Sequence, residues 1–396
     1  MNIIYLDNSA TTKQYNEVTE QMLQYMTEHF GNPSSLHRLG MTVEKAMRQA
    51  RRAVAESLSH NGLYTVNSEE IYFTSGGTES DNTAIFGAAA ARRRRGKKII
   101  TSAVEHPAAL EACKRLESRG YEIVYIDVDK QCGLNMEQLH TALDQDTILI
   151  SIMQVNNETG TIMPIEEIAN IKDAYNLKNG TDILLHTDAV QSFGKIKIPL
   201  PGIDLISVSG HKIHGPKGIG ALYIRKGLTI EPFIVGGGQE RHFRSGTENV
   251  PAIMGFGKAV ELASSQFKKR TAHMQEVRNY LMDGIKEQIT DVKINGIEQC
   301  EFCCPSILNL SFMGTRGEVL LHSLEQDGIY VSTGAACASN KKGSSHVLTA
   351  MGLNEKEIEG ALRFSFSEFN TIQEMQVVLE KLTAAVSKFR KLGSFR

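Results

Sequence analysis

No sign of charge dominates this chain: 43 Lys and Arg against 45 Asp and Glu leave a formal net charge of −2 over 396 residues. That balance excludes a general attraction to nucleic acid or to anionic membrane. No apolar run approaches the length that spans a bilayer. The opening Met1-Asn2-Ile3-Ile4-Tyr5-Leu6 has neither a basic region nor a cleavage site of small residues, so no secretory signal is expected. Cysteine is scarce, with six residues in the whole chain. So few, spread so widely, exclude a disulfide scaffold and fit a reduced, cytoplasmic setting. No repeat and no low-complexity tract is present. What remains is a length too great for one simple domain, with 41% apolar residues to fill a large interior.

From about residue 70, short apolar runs alternate with longer amphipathic stretches. Strands are expected at Ile71–Phe73, Lys98–Thr101, Glu122–Ile126, Thr147–Ile152, Ile183–His186, Leu205–Val208 and Gly220–Ile224, with helices at Thr78–Ala91 and Ala108–Arg119. Runs this continuous suit strands covered on both faces, and intervening helices imply right-handed crossovers and a mostly parallel sheet. Residues 12–255 are expected to form a large α/β domain. After Pro251 the pattern changes: a long helix over Ala252–Ile289, strands at Val292–Ile294 and Ser306–Leu310, and a terminal helix around Ile372–Leu392. Residues 256–396, with residues 1–11 folding back, are expected to form a smaller α+β domain.

Five places carry residues suited to chemistry. Thr74-Ser75-Gly76-Gly77-Thr78-Glu79-Ser80 lies between a strand and a helix. Its glycines allow close backbone approach, and the helix start offers free N–H groups to an anion. A capped turn without a ligand reads equally well. Lys212 follows a strand through Ser209-Gly210-His211. Burial at a strand end depresses a lysine pKa, as a Schiff-base lysine requires, although a surface lysine at a strand exit is the commoner case. Asp188, in His186-Thr187-Asp188-Ala189-Val190-Gln191, suits the ring nitrogen of a pyridinium cofactor, or caps the next helix. His106, in Glu105-His106-Pro107, suits stacking on a ring or proton transfer, or a structural place. Cys337 lies in Ser332-Thr333-Gly334-Ala335-Ala336-Cys337-Ala338-Ser339-Asn340-Lys341-Lys342-Gly343-Ser344-Ser345. That small-residue stretch has no apolar period and reads as an exposed loop, where a thiol near cationic side chains is reactive or merely incidental.

Taken together, these blocks resemble the class V aminotransferase superfamily, and within it the cysteine desulfurases of the NifS/IscS type. The matching blocks are Tyr5–Thr12, Gly31–His37, Thr74–Asn82, Glu105–Pro107, Val155–Gly160, His186–Gln191, Ser209–Lys212, Arg244–Asn249 and Ser332–Cys337, in family order over nearly the whole chain. The resemblance implies the aspartate-aminotransferase fold (fold type I) of pyridoxal-5′-phosphate-dependent transferases, with a seven-stranded-type sheet, and a homodimer. It implies that Lys212 binds the cofactor covalently and that Gly77, Thr78, Ser209 and His211 hold its phosphate, with Thr247 arriving from the second subunit. Asp188 would face the pyridine nitrogen, Gln191 and Asn157 the phenolic oxygen, and His106 would stack on the ring as well as assist catalysis. Arg363 and Asn157 would bind the substrate, Arg363 through its carboxylate. The implied activity converts L-cysteine to L-alanine, with sulfur passing to Cys337 as a persulfide and then to an acceptor protein, an iron–sulfur scaffold or a tRNA-thiolation enzyme. Selenocysteine lyase or an aminotransferase is the alternative. One departure is Asn8-Ser9 after Asp7, where the family usually has an aromatic residue or histidine. It implies altered packing near the substrate and leaves the catalytic set untouched.

Two features stand outside this pattern. Cys300-x-x-Cys303-Cys304 has metal-like spacing but no second ligand pair nearby, so no metal is expected. Arg92-Arg93-Arg94-Arg95 reads as a solvated basic face at a helix end.

Overall fold

A computed structural model of the chain describes residues 3–59, 65–298, 300–333 and 345–393, the side chain of Cys300 excepted. Cys337 and the rest of 334–344 lie outside the described residues. The strands are β1 (Ile4–Tyr5), β2 (Ile71–Thr74), β3 (Lys98–Ser102), β4 (Glu122–Ile126), β5 (Thr147–Ser151), β6 (Leu184–Asp188), β7 (Leu205–Ser209), β8 (Gly220–Ile224), β9 (Val292–Ile294), β10 (Ile307–Phe312), β11 (Ile329–Tyr330) and β12 (Ala361–Ser365).

A seven-stranded sheet runs in the order β2-β8-β7-β6-β5-β3-β4. Its pairs are parallel except those of β8, which is antiparallel to both β2 and β7. The continuous apolar runs are explained by two cores. Successive residues such as Leu149 and Ile150, Leu184 and Leu185, or Leu205 and Ile206 point alternately into the apolar cluster on one face and the cluster on the other. Helices 77–92 and 107–117 cover one face, and helices 38–58, 165–179 and 250–265 supply the other.

A third core lies under a three-stranded antiparallel sheet, β12-β10-β9. It is closed by Leu281, Ile285, Met375, Leu379 and Leu382 from helices 267–288 and 372–391. Strand β1 pairs in parallel with β11 at this end, bringing the start of the chain beside residues more than three hundred positions away. The single long helix expected over Ala252–Ile289 is two helices, Val250–Ser265 and Phe267–Gln288, broken at Gln266. Serine at 264 and 265 weakens the helix there, and the two halves serve different cores, the first packing on helices 16–27 and 38–58, the second on helix 372–391. Among the described residues, no helix is long and apolar enough to cross a membrane.

Candidate active site

In a parallel sheet every strand delivers its carboxyl end to one edge, and here that edge carries the reactive side chains. Past β3 come Glu105 and His106; past β5, Met153 and Asn157; at the end of β6, Asp188; at the end of β7, Ser209, with His211 and Lys212 just past it. The antiparallel β8 starts where β2 and β7 end, pairing Gly220 with both Thr74 and Ser209. This sets the Gly76-Gly77 turn beside Ser209 and close against Gly220, where a Cβ would meet the Gly76 Cα at 2.8 Å. Gly76 holds φ +151°, and a Cβ on Gly77 would meet Val190 Cγ2 at 2.7 Å.

These residues enclose a cavity of about 300 Å³ lined by Lys212, His106, Asp188, Gln191, Asn157 and Ser209, with His211, Gly77 and Thr78 at one end. Helix Gly77–Arg92 begins there, presenting unpaired backbone N–H groups at the cavity wall. Lys212 Nζ donates to the carbonyl oxygens of Ser9 and, at 2.8 Å, Ala10. Gln191 Nε2 donates to the same Ser9 carbonyl at 3.0 Å. His106 Nδ1 accepts from Ala108 N at 3.2 Å, so the proton of the neutral ring sits on Nε2.

Burial governs the charges. It draws His106 down to about 4, with help from Lys212 and His346, so the ring is neutral at ordinary pH. His211 is likewise drawn to about 4 by burial, then by Lys212. Asp188 is pushed up to about 6 by burial, opposed by the Val190 N–H and by Lys212. Behind it Asp81 is pushed well above the carboxylate range, by burial first and Asp188 second. Its Oδ1 lies 3.6 Å from His186 Nε2, whose ring burial keeps neutral down to about 3.

These residues fit pyridoxal phosphate. A glycine cradle, helix N–H groups, the Ser209 hydroxyl and His211 suit the phosphate. A buried carboxyl at the cavity wall suits a protonated ring nitrogen, and an amine at the wall suits the carbonyl carbon.

Two of the expected residues stand off this cavity. Arg363, on β12, is 2% exposed. It donates to the Asn157 carbonyl at 3.0 Å and to Asp7 Oδ1 at 2.8 Å. Its Nε is buried with no hydrogen-bond partner among the described residues. Asn157 therefore links the cavity to this arginine. Thr247 is exposed and lines a separate cavity with Glu240, Arg244 and Glu248.

The sequence reading missed Ser9, Ala10, Asp81, Met153 and Val190, which all line the Lys212 cavity. It also set the Asn8-Ser9 departure clear of the catalytic set, whereas the Ser9 carbonyl takes hydrogen bonds from both Lys212 and Gln191. The contact is made by backbone, which leaves no mark in residue type. Asp81 alone had a signal, an acid one turn into the helix after the glycine pair. The basic run also differs from expectation. Arg92 is buried and bonds Asp182 Oδ2 at 3.0 Å and the Thr229 carbonyl at 3.4 Å, while Arg93 to Arg95 are exposed. Cys303 and Cys304 are buried.

Comparison with known proteins converges on one group. The family model for aminotransferase class-V matches residues 4–378. The chain is 46% identical over 392 residues to the cysteine desulfurase IscS of Methanosarcina thermophila, covering 98% of this chain and 93% of that protein. It is 43% identical to the IscS of Dictyoglomus turgidum, covering 99% and 97%. Among solved structures, a NifS-like protein superposes with TM-score 0.88 at 38% identity, covering 98% of this chain and 100% of that one. The protein SspA, solved in complex with cysteine, superposes with TM-score 0.79 at 34% identity, covering 93% and 100%.

Proposed function

From the premise that this chain belongs to the class V aminotransferase family, in its pyridoxal-phosphate-dependent cysteine desulfurase branch, we propose how its residues divide the work of taking sulfur from L-cysteine and releasing L-alanine. The carrying observation is the convergence of Lys212, Asp188, His106, Gln191 and the Gly77 helix start on one cavity. Bound there, the cofactor supplies an electron sink for charge developed at the substrate Cα. Lys212 would hold it covalently, and the Lys212 amine would be the base for the substrate Cα proton. Gly77, Thr78, Ser209 and His211 hold the phosphate. Asp188 would face the ring nitrogen and, as a carboxylate, keep it protonated. Gln191 and Asn157 donate to the phenolic oxygen. His106 would stack on the ring and, neutral with its proton on Nε2, would pass a proton at that atom. Arg363 would receive the substrate carboxylate, with Nε, which has no partner among the described residues, as one of the donors it has left.

Cys337 is the nucleophile in this reading: its thiolate would attack the substrate sulfur as the substrate Cβ–S bond breaks. The bonding pair stays with the carbon fragment, which is protonated and released as alanine, while Cys337 keeps the sulfur as a persulfide. The sulfur then passes to an acceptor protein, an iron–sulfur scaffold or a tRNA-thiolation enzyme, in the cytoplasm. The working unit is a homodimer in which Thr247 completes the partner's phosphate site. Residues 12–255 form the cofactor domain and residues 1–11 with 256–396 the smaller one. Replacing Cys337 with Ser should abolish release of alanine and sulfide from cysteine while leaving the visible absorption of the bound cofactor intact. Alanine formed from cysteine at the normal rate by that variant would mean the nucleophile is misassigned.

A further inference from the structure

Behind the cavity wall lies a buried cation that none of these roles uses. Lys195 is 4% exposed, and its Nζ donates to Gln191 Oε1 at 3.2 Å. Burying an ammonium is strongly unfavourable, so its presence next to an active-site amide calls for a reason. Burial draws it down to about 8, which still leaves it mostly protonated at neutral pH. An ammonium has three donors and no acceptor. Whichever end of the Gln191 amide meets it must therefore be the oxygen. The NH2 end is left on the other side, with one hydrogen on the Ser9 carbonyl at 3.0 Å and a second to spare. An amide alone can turn over and offer either end. Here the ammonium on its oxygen and the Ser9 carbonyl on its nitrogen fix the same orientation from opposite sides, and the ammonium is the partner that a side-chain substitution can remove.

We propose that Lys195 is a positioning residue: it holds the Gln191 amide with its NH2 toward the Lys212 cavity, so that this wall can only donate and selects an acceptor oxygen on the bound group. Lys195 is not among the residues lining the cavity and acts through Gln191. The inference rests on the cofactor assignment above, in which the phenolic oxygen of pyridoxal phosphate is that acceptor.

The test is equilibrium binding to the full chain stripped of cofactor, with pyridoxal phosphate and its 3-deoxy analogue, which lacks the phenolic oxygen. Lys195→Met should weaken pyridoxal phosphate about tenfold, the scale of one hydrogen bond to a charged group, and change the analogue less than about twofold. Lys195→Arg, still donor-only, should keep the wild-type ratio of the two affinities. Equal weakening of both ligands would indicate a packing role and overturn the proposal, as would no weakening of either. Should Lys195→Met fail to fold, Lys195→Gln keeps a donor but adds an acceptor. About a threefold loss confined to pyridoxal phosphate is then expected, and an equal loss overturns the idea. A wild-type chain that binds no pyridoxal phosphate would instead sink the cofactor assignment, and this inference with it.

Discussion

The two sheets present their charged groups in opposite conditions. At the edge of the seven-stranded sheet, Asp188, Asp81 and Glu105 are carboxyl groups that burial holds protonated well above their usual range, and His106, His186 and His211 are rings that burial holds neutral. On the three-stranded sheet, Arg363 is as deeply buried but already sits on a counter-ion, Asp7. The first region is starved of charge and is completed by a ligand that brings it. The second already has a charge partner, and its guanidinium can add a carboxylate through Nε and the terminal N–H groups that Asn157 and Asp7 leave over. A tight, permanently held group suits the first, and a substrate that comes and goes suits the second.

The largest expected effect breaks the second region while sparing the first. Arg363→Lys cannot reach Asn157, Asp7 and a carboxylate together, because an ammonium lacks the planar fork. We expect kcat/KM for cysteine to fall about 100-fold, the scale of a lost bond to a charged group. Cofactor affinity should change by less than about twofold, measured by titration of the visible band. A parallel loss of cofactor binding would show that the two regions are not separable.

A smaller effect sharpens the charge starvation of the first region. Glu105 is pushed up to about 8 by burial, against an ordinary value of 4.5. Between those values the folded chain holds a proton that the unfolded chain has lost, so this group makes stability fall as pH rises from about 4.5 to 8. The histidines act in the opposite direction at lower pH. His106 and His211 protonate near 4 when folded and near 6.5 when unfolded, so their contribution is lost as pH falls through that window. Glu105→Gln keeps an acceptor for the Met153 N–H, 3.0 Å away, and removes only the titration. Relative to wild type it should gain on the order of 2 kcal/mol between pH 5 and pH 8 by chemical denaturation. A constant difference across that range would mean the carboxyl is not held protonated.

The smallest effect concerns the proposed second chain. Thr247→Ala should weaken cofactor binding only about threefold, one neutral hydroxyl bond among several. After subunit exchange with Lys212→Ala chains, the Lys212 of the Thr247→Ala chain would face an intact Thr247, and wild-type affinity should return at that site. An affinity unchanged from the Thr247→Ala parent would place Thr247 in its own chain's business alone.

What residue types and order determined by themselves was the edge of the large sheet. Each of His106, Asp188 and Lys212 follows an apolar run, and a parallel sheet must carry the ends of such runs to one side. Local pattern therefore implied long-range convergence without any contact being known. The same logic failed at β12, where Arg363 was assigned only through the family resemblance, because one strand in a small antiparallel sheet has no repeating context to mark it. It failed again at Ser9 and Ala10, whose carbonyls receive Lys212 from some two hundred residues away. Backbone oxygens are common to every residue, so only folding decides which of them meet a particular amine. The burial of Arg92 and the aim of Lys195 at Gln191 belong to the tertiary structure for a related reason. A long cationic side chain reaches solvent or interior with equal covalent ease, and what surrounds its tip chooses between them.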